Sequence, residues 1–330
     1  MIIFLIKGFV QNDPLNNPFN KFTYTNSEFI ERVLFMSFQS RLSRSFDSAP
    51  ILPLNQTSRY VLFSDCHRGC ANSNDNFLKN QHLYFAALQH YYQNGFTYIE
   101  LGDGDELWEN RNMEQIIEVH NNVFWLLTKF AERNRLHLIY GNHDMEKKQK
   151  NYADCHCSSY FCTDTQQMQP LFPHMAYHSG IILEDISGLR LYLTHGHQAD
   201  LLNSVFWRLS RFLVRYVWKP LEHTGVLDPT SAAKNNHRKN LTEKRLSSWA
   251  EERRQILITG HTHRPRLNKT EPFYFNTGSC VHPRCITCIE IQNRTLTLCK
   301  WAVNSRPDRT LYVEHEVLTD PVSLSQYISF

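Results

Sequence analysis

The sequence predicts an α/β fold for its main body, and three observations carry that expectation. From about residue 58 to residue 290, short β-prone runs alternate with longer helical patterns, as in layered α/β domains. Five of the β-prone runs end directly in polar side chains of metal-ligating type. With 330 residues, 42% hydrophobic and 13% aromatic, the chain can bury a sizeable core in one large domain or two small ones.

In chain order, residues 1–56 read as an N-terminal extension, partly helical. It starts with "MIIFLIKGFV", an apolar run broken by Lys7 and followed by no small-residue cleavage site, so it is a weak signal-peptide candidate. A polar stretch containing Asn and Pro follows. Then "SEFIERVLFMSFQSRLSRSF" brings Phe29, Val33, Phe38 and Leu42 roughly onto one helical face. The main domain is expected over 57–310, and 311–330 reads as a C-terminal tail. Its strand-like runs are "YVLFSDCH", "TYIELGD", "LHLIYGNHD", "LRLYLTHGH" and "QILITGHTH". Between them lie "HLYFAALQHYYQNG", a helix stopped by Gly95, and "MEQIIEVHNNVFWLLTKFAERN", a second helix. The last two strand runs are separated by an insertion at about 201–255.

A formal net charge of +3 is too small to announce a nucleic-acid-binding protein, but the charge is uneven. Residues 201–255 hold eleven Lys/Arg and five Asp/Glu, a local +6 that leaves −3 on the rest, so an anionic partner would be drawn to that segment. Nine cysteines form no regular framework, which points to a reducing, cytoplasmic protein. Cys155, His156, Cys157 and Cys162 look like a zinc knuckle, yet the matching second pair is missing, and free thiols in a loop are the simpler reading. No stretch reaches the roughly 18 uninterrupted apolar residues of a membrane span.

Singly, the polar groups after the strands say little. Asp65 and His67, or His261 and His263, could be surface turns; Asn142 after a glycine is an ordinary turn residue. Together, five strand ends in order carry carboxylate, imidazole and amide groups and nothing apolar, and strand ends of an open α/β sheet converge on one crevice. The acids Asp103, Asp105 and Glu106 crowd four positions after "TYIEL"; like charges so close need a cation among them or a well-solvated loop.

The residues Asp65-Cys66-His67, Gly102-Asp103-Gly104-Asp105-Glu106, Gly141-Asn142-His143-Asp144, His195 and Gly260-His261-Thr262-His263 give the chain a clear likeness. It resembles the calcineurin-like metallophosphoesterase superfamily, whose motifs are D-x-H, G-D-x-x-D/E, G-N-H-D/E, H and G-H-x-H in that order. The resemblance implies a four-layer sandwich, two mixed β-sheets flanked by helices, with a helical cap insertion. It also implies two divalent ions, manganese first, with iron or zinc suited by the same ligands. One ion would take Asp65, His67 and His263, the other Asn142, His195 and His261, and Asp103 would bridge them. A bridging water of lowered pKa would then attack phosphorus. Asp105 is the alternative register for the bridge; Asp103 is preferred because it follows directly on the strand. His143, not a ligand in the family pattern, would face the substrate phosphate with Asp144 orienting it.

The superfamily spans many substrates. The arginine of the protein-phosphatase motif G-D-x-V-D-R-G is absent from "GDGDELWEN". The better likeness is to the UDP-2,3-diacylglucosamine diphosphatase group, through Glu106 to Trp108, His195 to His197 and Gly260 to Pro265. "DCHRG" and the N-terminal extension depart from that group. It carries a helical cap between the fourth and fifth motifs, where this chain has Leu202, Val205, Phe206, Leu209, Phe212, Leu213, Tyr216 and Val217 at helical spacing. Arg208, Arg211, Arg215 and Lys219 form a basic stripe beside them, and Pro220 ends the pattern. Either a core-packed helix with a solvated basic edge or a lid that receives an apolar chain fits. Arg68, Arg208, Arg211 and Arg264 are the candidate substrate-binding groups. The expected partner is a phosphate-containing small molecule or a lipid-linked substrate, with peripheral membrane contact. The alternative is a nuclease or cyclic-nucleotide phosphodiesterase on the same metals, for which "HRKNLTEKR" is a short basic surface.

Overall fold

The computed structural model describes residues 38–72, 75–163, 165–218, 236–269 and 272–327, all within one compact unit, Phe38–Phe330. Phe29, Val33, Lys219 and Pro220 lie outside the described residues. In chain order the strands are β1 (Ile51–Pro53), β2 (Arg59–Phe63), β3 (Thr97–Leu101), β4 (Leu136–Ile139), β5 (Ser159–Cys162), β6 (Gln167–Pro170), β7 (Tyr177–His178), β8 (Gly180–Glu184), β9 (Arg190–Thr194), β10 (Ile256–Thr259), β11 (Tyr274–Asn276), β12 (Cys285–Gln292), β13 (Thr295–Ser305), β14 (Leu311–Val317) and β15 (Val322–Ser323). The helices are α1 (38–44), α2 (Gln81–Gln93), α3 (Met113–Val119), α4 (Asn121–Glu132), α5 (Tyr152–His156), α6 (Leu201–Ser204), α7 (Trp207–Leu213) and α8 (Asn236–Arg253).

Two mixed sheets face each other. One has the order β14-β13-β12-β2-β3-β4-β7, with β15 added to β13; the other has the order β1-β8-β9-β10-β11. Period-two alternation assigns each strand residue to a layer. Leu62, Ile99, Ile139, Leu191, Leu193, Ile256 and Ile258 fill the space between the sheets. The alternate residues Val61, Phe63, Tyr98 and Leu138 pack outward against Leu88, Tyr91, Phe124 and Leu127 of α2 and α4. On the far side, Ile182, Tyr192 and Leu257 pack against Leu246 and Trp249 of α8. Helix, sheet, sheet, helix is the four-layer sandwich. Truncating a large side chain in its inner layer costs about 2–5 kcal/mol.

All five expected ligand-bearing strands form, as β2, β3, β4, β9 and β10. Because β2, β3 and β4 are parallel, as are β9 and β10, their C-terminal ends gather at shared sheet edges. Both sheets reach beyond the boundaries drawn at 57 and 310. Phe38 and Leu42 are fully buried against Trp249, β1 pairs with β8, and β14 pairs along seven residues with β13. The helix expected as continuous from Met113 is two, broken at His120, whose buried ring bonds Gln81 and Asp75 instead of facing a helix surface. In the cysteine run, Cys157 and Cys162 are buried in the outer apolar layer. Among the described residues the run belongs to no metal-ligating group.

Candidate metal centre

After three of these strands, β2, β3 and β10, the chain turns through backbone that L-residues avoid. Asp65, His67, Asp103, His261 and His263 have φ of 52°, 49°, 51°, 68° and 55°. Left-handed conformations in non-glycine residues cost of order 1–3 kcal/mol each and persist where the surroundings enforce them. Here the loops enforce one another. Asp65 N–H donates to Gly102 O at 3.1 Å, His67 N–H to Asp103 O at 2.9 Å, Gly260 N–H to His195 O at 3.1 Å and His261 N–H to Asp65 Oδ2 at 2.9 Å. Two glycines are required by this closeness. A Cβ at Gly141 would stand 2.1 Å from Asp103 Oδ1, and one at Gly260 would stand 2.2 Å from Ser64 Oγ.

The turns bring two groups of acceptor atoms together. In one, His263 Nε2 lies 3.0 Å from Asp65 Oδ1 and 3.3 Å from His67 Nε2. In the other, His195 Nε2 lies 3.1 Å from Asp103 Oδ2 and 3.2 Å from Asn142 Oδ1, with His261 alongside. Asp103 Oδ2 is also 3.8 Å from His67 Nε2, so this one carboxylate faces both groups. All seven residues are buried or nearly so.

The donor set fits a cation. His195 Nδ1–H donates to Leu101 O at 2.9 Å, which turns the Nε2 lone pair toward Asp103 and Asn142. His67 Nδ1 is held by Glu106 at 2.8 Å, which likewise leaves Nε2 facing His263. His261 Nε2 and Asp65 Oδ1 are buried without a hydrogen bond. Acceptors converging on acceptors are unfavourable without positive charge among them. The charges respond accordingly. Burial pushes His195 down, but the Asp103 carboxylate outweighs it and lifts the imidazole to about 9, which shows how strongly this pocket favours positive charge. Burial together with His195 pushes His261 down to about 3. Nitrogen and oxygen donors of this kind suit Mn, Fe or Zn.

His143 stands at the rim, a quarter exposed. Its Nδ1 lies 2.8 Å from Glu106 Oε2, and its ring stacks on Trp108 at 4.3 Å between centroids and 23° between planes. Burial lowers its pKa, but Glu106 and Asp103 more than offset this and hold it above the ordinary histidine value. The expectation that Asp144 orients His143 is corrected. Asp144 is fully buried and turned away, accepting from Gly141 N–H at 2.6 Å, Gly104 N–H at 3.1 Å and Lys147 Nζ at 2.8 Å. Glu106 is instead the group beside His143. Trp108 and Lys147 were not read as site residues; an aromatic two residues after Glu106 and a lysine three after Asp144 were the available signals.

Asp105 and Arg68 also find partners below the site. Arg68 donates to Asp105 Oδ1 at 2.7 Å and to Glu100 at 2.8 and 2.9 Å, and Lys147 Nζ donates to Asp105 Oδ2 at 2.5 Å. Arg68 is 1% exposed, so its role as a substrate-binding group is corrected as well: both faces of the guanidinium edge are already occupied by carboxylates.

The insertion is not one amphipathic helix on the core. It breaks between α6 and α7, and Val205, Phe206, Leu209, Phe212 and Tyr216 are exposed. Two of the arginines face inward instead: Arg215 donates to Trp108 O and Leu107 O, each at 2.8 Å, and Arg211 pairs with Glu146. Arg208 is exposed, with its guanidinium 5.5 Å from the Trp207 ring. Arg264 is bonded to Glu243 at 3.0 Å and Asn240 at 2.9 Å on α8, while Thr262 Oγ1–H donates to Glu243 at 2.9 Å. The cap thus grips the fifth loop through Glu243 and the second through Arg215.

The model of the calcineurin-like phosphoesterase superfamily domain matches residues 59–293, and the chain belongs to that superfamily. A search of curated proteins gives no match. Among solved structures, a mutant of a cold-active protein tyrosine phosphatase is similar at 14% identity and a TM-score of 0.38, over 84% of each chain. Vps29 of Chaetomium thermophilum is similar at 12% identity and a TM-score of 0.37, over 81% of this chain and 100% of that one. Likeness at this level says nothing of activity. Family membership makes the chain a metal-dependent hydrolase of phosphoester bonds, with candidate metal-binding groups at its strand ends. Among the described residues, no helix is long and apolar enough to cross a membrane.

Proposed function

We propose that the chain hydrolyses a phosphoester or diphosphate bond with two divalent metal ions, manganese first among the candidates. Asp65, His67 and His263 would hold one, Asn142, His195 and His261 the other, and Asp103 would be shared between them. The observation that carries this reading is the sharing of Asp103 Oδ2 between the two acceptor groups, 3.1 Å from His195 and 3.8 Å from His67. When bound, the ions supply a water of lowered pKa and polarise the phosphoryl oxygens. The chain supplies the rest. Glu106 holds Nδ1 of His143 and Trp108 fixes the ring plane, so the imidazole is placed to give a proton to the phosphoryl or leaving oxygen.

The substrate is a nucleotide-sugar or lipid-linked diphosphate, as the likeness to the UDP-2,3-diacylglucosamine diphosphatase group suggests. The exposed Phe206, just before α7, and Leu209 and Phe212 on α7 support an apolar chain bound at the cap, and Arg208 beside them supports an anionic head group or a peripheral contact with a membrane. Free thiols throughout the described residues favour a cytoplasmic location. A nucleic-acid groove gains less support, because Arg238 of the short basic segment is bonded to Asp200 at 3.0 Å.

Metal-stripped protein reloaded with Mn, Fe or Zn, and assayed on diphosphates of increasing acyl length, monoesters, diesters and single-stranded DNA, tests both parts. Each methylene buried at the cap contributes about 0.8 kcal/mol, so KM should fall by up to about fourfold per carbon. Equal KM values for short and long chains overturn the lipid-linked substrate, and undiminished turnover after stripping overturns the metal mechanism.

A further inference from the structure

On the outer face of the larger sheet, three neighbouring strands bring together a different set of donors. Glu290 on β12, Cys299 on β13 and His315 on β14 present ligand atoms within 4.8 Å of one another. The pairing that aligns Trp301 with His315 and Cys288 with Cys299 puts all three side chains on the same face, the one covered by α2. His315 Nε2 lies 3.0 Å from Glu290 Oε1. None of these residues belongs to the strand-end loops.

We propose that Glu290, Cys299 and His315 form a second metal site, for a single zinc ion, with its fourth position open to water. Thiolate, imidazole and carboxylate together suit zinc and disfavour magnesium or calcium. Ligands held 2.0–2.3 Å from one tetrahedral ion stand about 3.3–3.8 Å apart, a spacing these atoms reach with small side-chain rotations. The surroundings are those of a supported site. Tyr91 O–H donates to Glu290 Oε1 at 2.7 Å, Trp301 Nε1–H donates to Tyr91 at 2.9 Å, and the Trp301 ring stacks on His315 at 4.6 Å and 28°. Cys299 is fully buried while His315 lies exposed on β14, so an ion can enter from the His315 side. Burial raises the Cys299 thiol, with Cys288 and Glu290 adding to it, and the thiol therefore holds its proton when no metal is bound. Binding forms the Zn–S bond and releases that proton to water. The ion would staple β14, a strand with Leu311, Val313 and Val317 exposed, to the sheet.

Cobalt(II) distinguishes this site from the catalytic one. Among the described residues, the metal-ligating groups at the strand ends are carboxylates and imidazoles, which give only weak visible bands, whereas a cysteine ligand adds an intense near-ultraviolet thiolate-to-cobalt band. Metal-stripped full-length protein saturated with cobalt should show that band with the intensity of one cysteine-bound cobalt per chain. Cys299→Ser should abolish it with phosphoesterase activity unchanged, and His315→Ala, at an exposed position, should weaken cobalt binding by at least tenfold. A titration without the band, or a band that persists in Cys299→Ser, overturns the proposal; should the serine variant fail to fold, an unchanged affinity in His315→Ala does so.

Discussion

The strand-end loops and the cap that follows the fourth of them treat charge in opposite ways. In the loops, Asp65, Asp103, Asp105 and Asp144 are all but fully buried, and each meets a histidine, an arginine, a lysine or several backbone N–H groups. In the cap, large apolar side chains such as Phe206 and Phe212 are exposed while Arg211 and Arg215 turn inward. Buried charge with full pairing gives rigid placement of a few atoms; exposed apolar surface gives a face that gains only when something covers it. The difference separates where the chemistry is held from where a substrate or partner would be selected.

The largest expected effect lies at the rim of the loops. His143→Ala should lower kcat by about two to four orders of magnitude, the usual worth of an acid/base group, with the metal content of the purified protein unchanged. Loss of metal along with rate would make His143 part of the ion-holding set and blur the contrast between rim and centre. Next comes the charge network beneath. Lys147→Met leaves Asp105 and Asp144 short of a buried partner and should destabilise the fold by about 3–5 kcal/mol in denaturant unfolding. Burial alone would push the Asp105 carboxyl up; Arg68 and Lys147 outweigh it and hold it far below its ordinary value. That stabilisation is therefore present above about pH 4 and is lost as pH falls toward the depressed folded value, so K147M should narrow the stability gap to wild type as the medium is acidified. The smallest effect belongs to the cap. Phe206→Ser with Phe212→Ser should change stability by no more than about 0.5 kcal/mol per site, as surface substitutions do, and leave hydrolysis of a chain-free diphosphate intact. A larger loss of stability would mean that this face is covered in the folded protein.

These regions also differ in how far the sequence reveals them. The strand ends were legible because chemistry restricts a ligand to a few residue types and a short β-prone apolar run such as "TYIEL" or "QILIT" marks the strand before it. Pairing inside the site was less legible. Asp144 sits next to His143 in sequence, yet Glu106, 37 positions away, approaches its ring, because the turn after β4 points Asp144 at backbone N–H groups. Arg68 follows the first ligand motif closely enough to suggest substrate contact, but buried Glu100 and Asp105 capture it from another strand and its loop. The cap was legible as a helical stripe but not in its orientation, since periodicity shows that two faces differ without showing which one meets the core.

The central claim is that one carboxylate, Asp103, joins two ions, while its near neighbour Asp105 serves the fold. Manganese content by elemental analysis, measured on manganese-loaded wild type, Asp103→Asn and Asp105→Asn, tests it most directly. Two ions per chain are expected in wild type, fewer than one in Asp103→Asn, and two in Asp105→Asn together with a lowered Tm, because Arg68 and Lys147 lose part of their buried partner. Two ions retained in Asp103→Asn and lost from Asp105→Asn would contradict it.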